Sequence, residues 1–283
     1  MRLLTIEKRA GLSREEFKKD YLEPCRPLIF QDLIDDWPAK EKWTFDFFIK
    51  QHGDLQVPVY DKSFSKPGKN YMAPIGHMTL GDYLNMIRSG PSDSRIFLFN
   101  ILAKVPELRN DIRKLTIMDG FINELPFMFF GGQGSYTRIH YDLDCSHVFL
   151  TQFQTRKKVL LFAPDQSEIL GHLPFTVGCL VDMINPDEKQ YPGLKQLTGY
   201  EAILNHGETL FIPSMYWHHI EYTDAGYSLA LRANNSILQR IKGAYHIARH
   251  FMVDRSMNLL LGEKWGDYKK NMALKKQYKK GLA

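Results

Sequence analysis

Cysteine is scarce in this chain of 283 residues, and long apolar runs are missing. The three cysteines, Cys25, Cys145 and Cys179, are odd in number and form no Cys-x-x-Cys spacing, which argues against a disulfide framework. No apolar run approaches the length of a membrane-spanning helix, and the N-terminal residues lack the cleavage pattern of a signal peptide. We therefore expect a cytoplasmic protein with no membrane partner.

The formal net charge is +5, and the excess of positive over negative charge lies in one segment of the chain. Residues 264–283 hold seven lysines and one aspartate, so the remainder of the chain is close to neutral. A lysine-rich segment of this kind is typical of a solvated helix face. We favour that interpretation over a phosphate-binding role, which leaves nucleic acid as an alternative partner that ranks below protein.

Up to residue 126 the sequence mixes helical and strand patterns, and after it short β-prone segments dominate. Ser13 is predicted to cap a helix that begins at Arg14. The other predictions for this part are strands at 55–60 and 95–101 and helices at 45–51, 78–89 and 111–121. From 127 to 234, apolar segments alternate with Gly, Pro, Asn and Asp, which is typical of an all-β sandwich or barrel.

A helical pattern returns after residue 235. Five apolar residues recur there at spacings of four and three: Ile237, Ile241, Ala244, Ala248 and Phe251. We predict a domain over 1–234, which includes the N-terminal helical region, and a C-terminal helical extension over 235–283. The apolar stripe of the extension has two interpretations: it packs against the β-rich domain, or it forms the interface of a homodimer.

Residues that ligate metals are concentrated in HYDLDCSH, residues 140–147. Alternate residues of a strand point to the same face, so His140 and Asp142 can aim at one point. A third ligand is available in MYWHHIEY, where spacing alone does not choose between His218 and His219. Two histidines and one carboxylate form the facial arrangement of mononuclear iron(II) oxygenases, which leaves three metal positions open. The competing interpretation is a chance His-x-Asp beside a hydrogen-bonded core histidine.

Three segments together, SYTRIHYD, TRKKVLLFAP and HGETLFIPSMYWHHIEY, resemble the JmjC family of 2-oxoglutarate oxygenases. The segment CRPLIFQDLIDDWPA is similar to the opening of the cupin-like branch that contains the asparaginyl hydroxylase of hypoxia-inducible factor. This resemblance covers residues 21–232. It implies a mainly β fold, a double-stranded β-helix of the jelly-roll or cupin type. It also implies Fe(II) held by His140, Asp142 and His218, with 2-oxoglutarate as cosubstrate.

The resemblance further implies that Thr137 hydrogen-bonds the cosubstrate and that Lys157, rather than Lys158, pairs with its distal carboxylate. Arg232 lies 14 residues after His218, close to the place where other 2-oxoglutarate oxygenases keep an arginine that clamps this carboxylate. A bidentate guanidinium suits a carboxylate well, so we hypothesise that Arg232 shares or replaces the role of Lys157. The alternative for Arg232 is a surface residue at a strand end.

Three places depart from the family pattern. On the last core strand, Arg232 stands where an asparagine is common, and the aromatic residues that normally follow are absent. Phe97 stands where the asparaginyl hydroxylase has a tyrosine that touches the cosubstrate. The turn after Asp142 carries extra residues, so that Ser146 or His147 replaces the usual asparagine. We interpret His147 as a turn residue that is not a metal ligand and that tunes substrate choice.

The implied activity is that of a dioxygenase, which converts 2-oxoglutarate and dioxygen to succinate and carbon dioxide while a substrate C–H bond is oxidised. Hydroxylation of a protein side chain is the favoured function. The alternatives are a tRNA base, which the lysine-rich segment would fit, a small molecule, or a cupin-like protein that binds metal or ligand without catalysis. Histone demethylation ranks lower, because the chain has no zinc-finger spacing or reader-like segment.

Overall fold

The computed structural model describes residues 1–65 and 72–282. Its strands, numbered β1 to β14 in chain order, are Arg2–Thr5, Lys8–Arg9, Leu28–Phe30, Gln56–Val59, Gly76–Thr79, Arg95–Phe99, Phe127–Gly131, Tyr136–His140, His147–Phe153, Arg156–Phe162, Thr198–Asn205, Thr209–Ile212, Trp217–Glu221 and Gly226–Ala233. Its α-helices, numbered α1 to α8, are Arg14–Phe17, Ala39–Lys42, Phe45–His52, Leu80–Ser89, Ile101–Lys104, Ile237–Arg249, Ser256–Leu261 and Glu263–Lys279. Wider π-type turns extend α1 over Lys18–Leu22 and connect α6 to α7 over His250–Arg255.

The strands from β7 to β14 form two facing antiparallel sheets. One sheet has the order β12-β9-β14-β7 and is extended at its edges by β3, β2 and β6. The other has the order β11-β10-β13-β8 and is extended by β1, which pairs with β11 in parallel. Successive strands therefore alternate between the two sheets in places, which is the arrangement of a double-stranded β-helix. The predicted mainly β, jelly-roll fold is confirmed.

Alternation along β10 shows how the sequence divides the interior. Val159 and Leu161 face the space between the sheets and belong to the core there. Leu160 and Phe162 face the other way, into a second core beneath the segment that connects β10 to β11. Strand β9 is buried along its whole length because helices of the N-terminal region cover the outer face of its sheet. A strand covered on both faces loses the regular alternation of apolar and polar residues, and HVFLTQF lacks that alternation.

The N-terminal helices begin at the residues that the sequence indicates. Ser13 caps α1 with a capping box, in which its hydroxyl accepts from the Glu16 amide while the Glu16 carboxylate accepts from the Ser13 amide. Thr44 and Thr79 cap α3 and α4 in the same position. The predictions of Ser13 as a cap and of helices near 45–51 and 78–89 are confirmed.

The predicted helix at 111–121 is wrong. A short 3₁₀ helix, Pro106–Asp111, ends where that helix was expected to begin, and the following residues are irregular. The reason is tertiary contact. The Asp111 carboxylate accepts a hydrogen bond from Trp43 Nε1 at 2.9 Å and pairs with Lys42 at 2.8 Å, so it ties this chain segment to α2. Leu115 then packs into the helix-covered core.

The C-terminal helices contact the preceding chain at several places, among them the turn after β8 and the Glu168 carbonyl, which accepts from Gln277 at 3.1 Å. Gly243 of α6 lies so close to the turn after β8 that a Cβ there would stand 2.1 Å from the Asp144 carbonyl oxygen. Gln239, one turn earlier in α6, donates to the Cys145 carbonyl at 2.8 Å. Most of the predicted apolar stripe points away from these contacts, since Ile237 is 74% and Ile241 is 60% exposed. The interpretation that this stripe packs against the β-rich domain is therefore wrong.

Among the described residues, no helix is both long enough and apolar enough to cross a membrane.

Candidate metal centre

Two adjacent strands and the turn after one of them bring three ligand side chains together. His140, the last residue of β8, is the ladder partner of His218 in β13, and their ring centroids are 4.2 Å apart. Asp142 follows two residues after β8. The ligand atoms of His140, Asp142 and His218 all lie within 4.8 Å of one another, which is a separation that one metal ion can bridge. The three predicted ligands are thus placed around one point.

Backbone carbonyls set the proton positions on both imidazoles. The Nδ1 atom of His140 lies 2.8 Å from the Arg138 carbonyl oxygen, and that of His218 lies 3.1 Å from the Tyr216 carbonyl oxygen. Because a carbonyl only accepts, each Nδ1 donates its hydrogen to the backbone, which leaves Nε2 as the nitrogen available to a metal. Burial, with a smaller contribution from His218, lowers the pKa of His140 to about 3. That imidazole is neutral at physiological pH, as a metal ligand must be.

His219 lies outside this group. Strand alternation turns it to the opposite face, where its ring contacts Tyr136 and its Nε2 stands 3.3 Å from the Glu221 carboxylate. Spacing left His218 and His219 as alternatives. The geometry brings His218 into the ligand group and keeps His219 away from it.

Arg232 of β14 contacts the acidic ligand directly. Its guanidinium lies 3.1 and 3.2 Å from the two oxygens of Asp142, and it also contacts Asp144 at 3.1 Å and the Ser146 hydroxyl at 3.3 Å. Burial alone would raise the pKa of Asp142, but Arg232, with His218 and His140, lowers it below its ordinary value. The carboxylate therefore stays ionised despite its buried position.

Lys157 lies inside the barrel, on the face of β10 that also carries Val159. Its side chain is 1% exposed, and its Nζ stands 4.2 Å from the centroid of the Tyr222 ring. Burial lowers the pKa of Lys157 to about 7, and it makes no ion pair with any residue that the structure describes. Lys158 points to the opposite face of the strand. Of the two neighbouring lysines, Lys157 is the one that faces the interior.

The barrel interior beside the ligands also contains Arg95, which sequence reasoning missed. Its Nη1 donates to the Thr137 hydroxyl at 3.1 Å, and Thr137 lies three residues before His140 on β8. Arg95 is 8% exposed, and its Nε has no hydrogen-bond partner among the described residues. The only sequence signal is a charge at the head of an apolar strand, which normally indicates a solvent-facing strand end.

Phe97 does not replace a pocket side chain in any contact that the structure shows. Its ring packs against Tyr60, with centroids 4.1 Å apart, and against Phe64 at 4.7 Å. The pairing of β6 with β7 shifts register between Ile96 and Phe99, and Leu98 there has a φ of 53°. The residue of β6 that contacts Thr137 is Arg95.

Two further residues of the 140–147 segment make their contacts away from the ligand group. Tyr141 points away from the ligands and donates to the Thr176 carbonyl at 3.2 Å. His147 accepts at Nδ1 from the Ser214 amide at 3.1 Å and stacks on Phe211, and burial lowers its pKa to about 4. His147 stands outside the ligand group. Its suggested part in substrate choice stays a prediction.

Two imidazole nitrogens and one carboxylate are the ligand set of mononuclear iron(II) sites, so the residues present fit Fe(II). The fold and this site together define a double-stranded β-helix protein with a group of two histidines and one carboxylate that could hold a metal ion.

Comparison with known proteins gives the family. A model described as Cupin-like domain matches residues 13–236, and the chain belongs to that family. It is 29% identical over 229 residues to "Lysine-specific demethylase JMJ30" of Arabidopsis thaliana, covering 76% of this chain and 51% of that protein. It is 27% identical over 250 residues to "2-oxoglutarate and iron-dependent oxygenase JMJD4" of Gallus gallus, covering 77% of this chain and 56% of that protein.

A third relative differs in how much of it is matched. The chain is 25% identical over 240 residues to "tRNA wybutosine-synthesizing protein 5" of Homo sapiens, covering 77% of this chain and 74% of that protein. By contrast, the chain spans about half the length of the demethylases it matches. These relatives support the JmjC resemblance. The narrower likeness to the asparaginyl hydroxylase branch stays a prediction.

Proposed function

We propose that the protein is an Fe(II)- and 2-oxoglutarate-dependent dioxygenase that hydroxylates a protein side chain. The observation that carries this proposal is that the His140, Asp142 and His218 ligand group lies in the same barrel interior as Lys157, a buried amine without an anionic partner among the described residues. A metal with open positions beside an amine that a bound anion would keep protonated suits a chelating ligand whose far end is a carboxylate.

When bound, iron and 2-oxoglutarate supply the oxidative decarboxylation that yields succinate and carbon dioxide and oxidises a substrate C–H bond. The chain holds and shields the reacting groups. His140, Asp142 and His218 would hold the metal. Lys157 and the Thr137 hydroxyl would bind the distal carboxylate, and the apolar side chains between the sheets exclude water from it. No general base is required.

For Arg232 we now propose a role different from that of a cosubstrate clamp. Its guanidinium is already shared by the carboxylates of Asp142 and Asp144. A group with two anionic partners gains little by taking a third. Its contacts favour a positioning role, in which Arg232 orients the Asp142 ligand and keeps it ionised.

A protein substrate is our first choice because several similar proteins are named as demethylases of lysine or arginine. A tRNA substrate is the second candidate, and two observations favour it. The similar protein whose length is best matched among those described above is named for tRNA wybutosine synthesis. In addition, six of the seven lysines after residue 263 are exposed, whereas Lys269 is buried against Asp254.

The test is 2-oxoglutarate turnover by the Fe(II)-reconstituted protein, followed as succinate by NMR, with pools of peptides and of bulk tRNA. We expect turnover that one of these pools stimulates and that His140→Ala abolishes, and the stimulating pool identifies the substrate class. Iron binding without succinate formation under any of these conditions would instead establish the metal-binding, non-catalytic alternative.

We also propose that the exposed stripe of the C-terminal helices forms a homodimer interface, which the exposure of its apolar side chains supports.

We further propose that the protein is cytoplasmic, which its three free cysteines support.

A further inference from the structure

Arg95 is more buried than an arginine at the end of a strand usually is. The main chain of Arg95 pairs with Gly131 of β7 and with Tyr60, which fixes its side chain over β8. There it is 8% exposed and donates through Nη1 to Thr137, while Nε is buried without a partner among the described residues. A buried arginine that leaves a donor unused is unfavourable in the free protein. The geometry therefore calls for an acceptor that arrives with a ligand.

A second buried cation borders the same space. The Lys157 ammonium lies against the ring of Tyr222, and Tyr222 is also close enough to Arg95 to counteract the lowering of the arginine pKa that burial causes. A Cβ at Gly131, the ladder partner of Arg95, would stand 2.6 Å from the same Tyr222 ring. Tyr222 therefore connects Lys157 to Arg95, and Thr137 connects Arg95 to β8, the strand that ends at His140.

Thr137 connects the guanidinium to this space. Its hydroxyl oxygen accepts from Arg95, so its own hydrogen is free to be donated to a further acceptor. An anion beside Thr137 would meet a hydroxyl donor, a guanidinium and an ammonium. A neutral ligand would bring no negative charge to balance these two buried charged groups.

We propose that Arg95 is a second anchor for the cosubstrate, and that its guanidinium and the Lys157 ammonium together hold the distal carboxylate of 2-oxoglutarate. This inference rests on the proposed function. The consequence concerns ligand specificity. With two charged groups at the distal carboxylate, removal of that carboxylate from the 2-oxo acid lowers its affinity more than it would with one ammonium alone.

The test compares two ligands that differ only at that end, 2-oxoglutarate and 2-oxopentanoate, which keeps the metal-chelating group and lacks the distal carboxylate. Both are titrated calorimetrically into Mn(II)-loaded protein, so no turnover is required. For Arg95→Met we expect a loss of roughly 10- to 100-fold in affinity for 2-oxoglutarate, the range for one hydrogen-bonded charge, with unchanged affinity for 2-oxopentanoate. Arg95→Lys should fall between, and Arg88→Met, at an exposed arginine paired with Asp46, should match the unsubstituted protein.

Several results separate this inference from the proposed function. Equal losses for both ligands would show that Arg95 only supports the fold, and no loss for either would remove it from the pocket. If Arg95→Met does not fold, the same comparison is made with Arg95→Lys, for which an equal effect on both ligands overturns the inference. If the unsubstituted protein binds both ligands equally, the proposed function fails before Arg95 is considered.

Discussion

At the scale of single residues, the candidate metal ligands are held by side chains outside the ligand group. Arg232 illustrates this, because its guanidinium contacts both oxygens of Asp142 and also the carboxylate of Asp144. Partners that orient a ligand in this way commonly change metal affinity by about 10- to 100-fold when they are removed. A positioning role of Arg232 therefore predicts that its removal lowers metal affinity, whereas a cosubstrate-clamp role predicts that it lowers 2-oxoglutarate affinity.

We expect Arg232→Met to weaken Co(II) binding by about 10- to 100-fold and to change the visible spectrum of the Co(II) protein. Arg232→Lys should recover part of the affinity, because one cation remains beside Asp142. At saturating metal, 2-oxoglutarate affinity should change little. Unaltered Co(II) affinity together with a large loss of 2-oxoglutarate affinity would restore the clamp assignment.

Lys157 provides a prediction about pH. Its pKa is lowered to about 7 by burial, and the charged or titratable groups near it are Tyr222 and, beyond that ring, Arg95. In the free protein the folded state holds fewer protons than the unfolded state above that pKa. Stability from this group therefore rises with pH between about 7 and the ordinary lysine value. A bound carboxylate favours the charged ammonium and raises the pKa again.

Binding of 2-oxoglutarate at about pH 8 should consequently take up a proton, and at about pH 6 it should not, because Lys157 is then already charged. Calorimetric titrations in two buffers of different ionisation enthalpy measure this uptake. Lys157→Arg serves as the control, because a guanidinium stays charged at both pH values. Equal uptake in this variant and in the unsubstituted protein would assign the proton to another group.

At the scale of elements, strands were easier to predict than their side-chain roles. The apolar alternation of β10 identifies a strand, but it does not show that Lys157 enters the barrel, since a lone strand lysine normally faces water. Arg95 was missed for the same reason. His140 and Asp142 follow from spacing along one strand, whereas the choice of His218 required the family resemblance. The helix expected at 111–121 failed because the Asp111 carboxylate binds Trp43 and Lys42, a contact between distant segments that periodicity does not contain.

Helix α6 supports the site through Gly243. Helix propensity alone would make Gly243→Ala stabilising by about 1 kcal/mol. A Cβ there would stand 2.1 Å from the Asp144 carbonyl oxygen, which belongs to backbone and cannot rotate away. We expect a net loss of stability in urea unfolding and weaker metal binding, because the Asp144 turn also positions Arg232. Ala244→Gly is the matched control: it should lose about 1 kcal/mol by propensity yet leave metal affinity unchanged. Stabilisation by Gly243→Ala would show that α6 does not press on this turn.

At the scale of the whole molecule, the C-terminal helices expose many large apolar side chains. Leu238 is 73%, Met252 is 75% and Leu260 is 77% exposed, in addition to Ile237 and Ile241. Contiguous apolar patches above a few hundred Å² usually mark an interface. A second copy of the chain is the occupant that the surface favours, because an apolar face matches itself across a two-fold axis without needing charge complementarity.

We therefore expect a dimer in light scattering after size exclusion, and we expect Ile241→Asp combined with Leu260→Asp to convert it to a monomer. Each charge would be buried without a partner in the dimer, whereas it would be solvated in the monomer. Ile203→Asp, at a residue 40% exposed on β11, is the control and should leave the dimer intact. The separated monomer should keep its Co(II) affinity, because the ligand group and Arg232 come from one chain. A monomeric unsubstituted protein would overturn the dimer proposal and leave the apolar face for another partner.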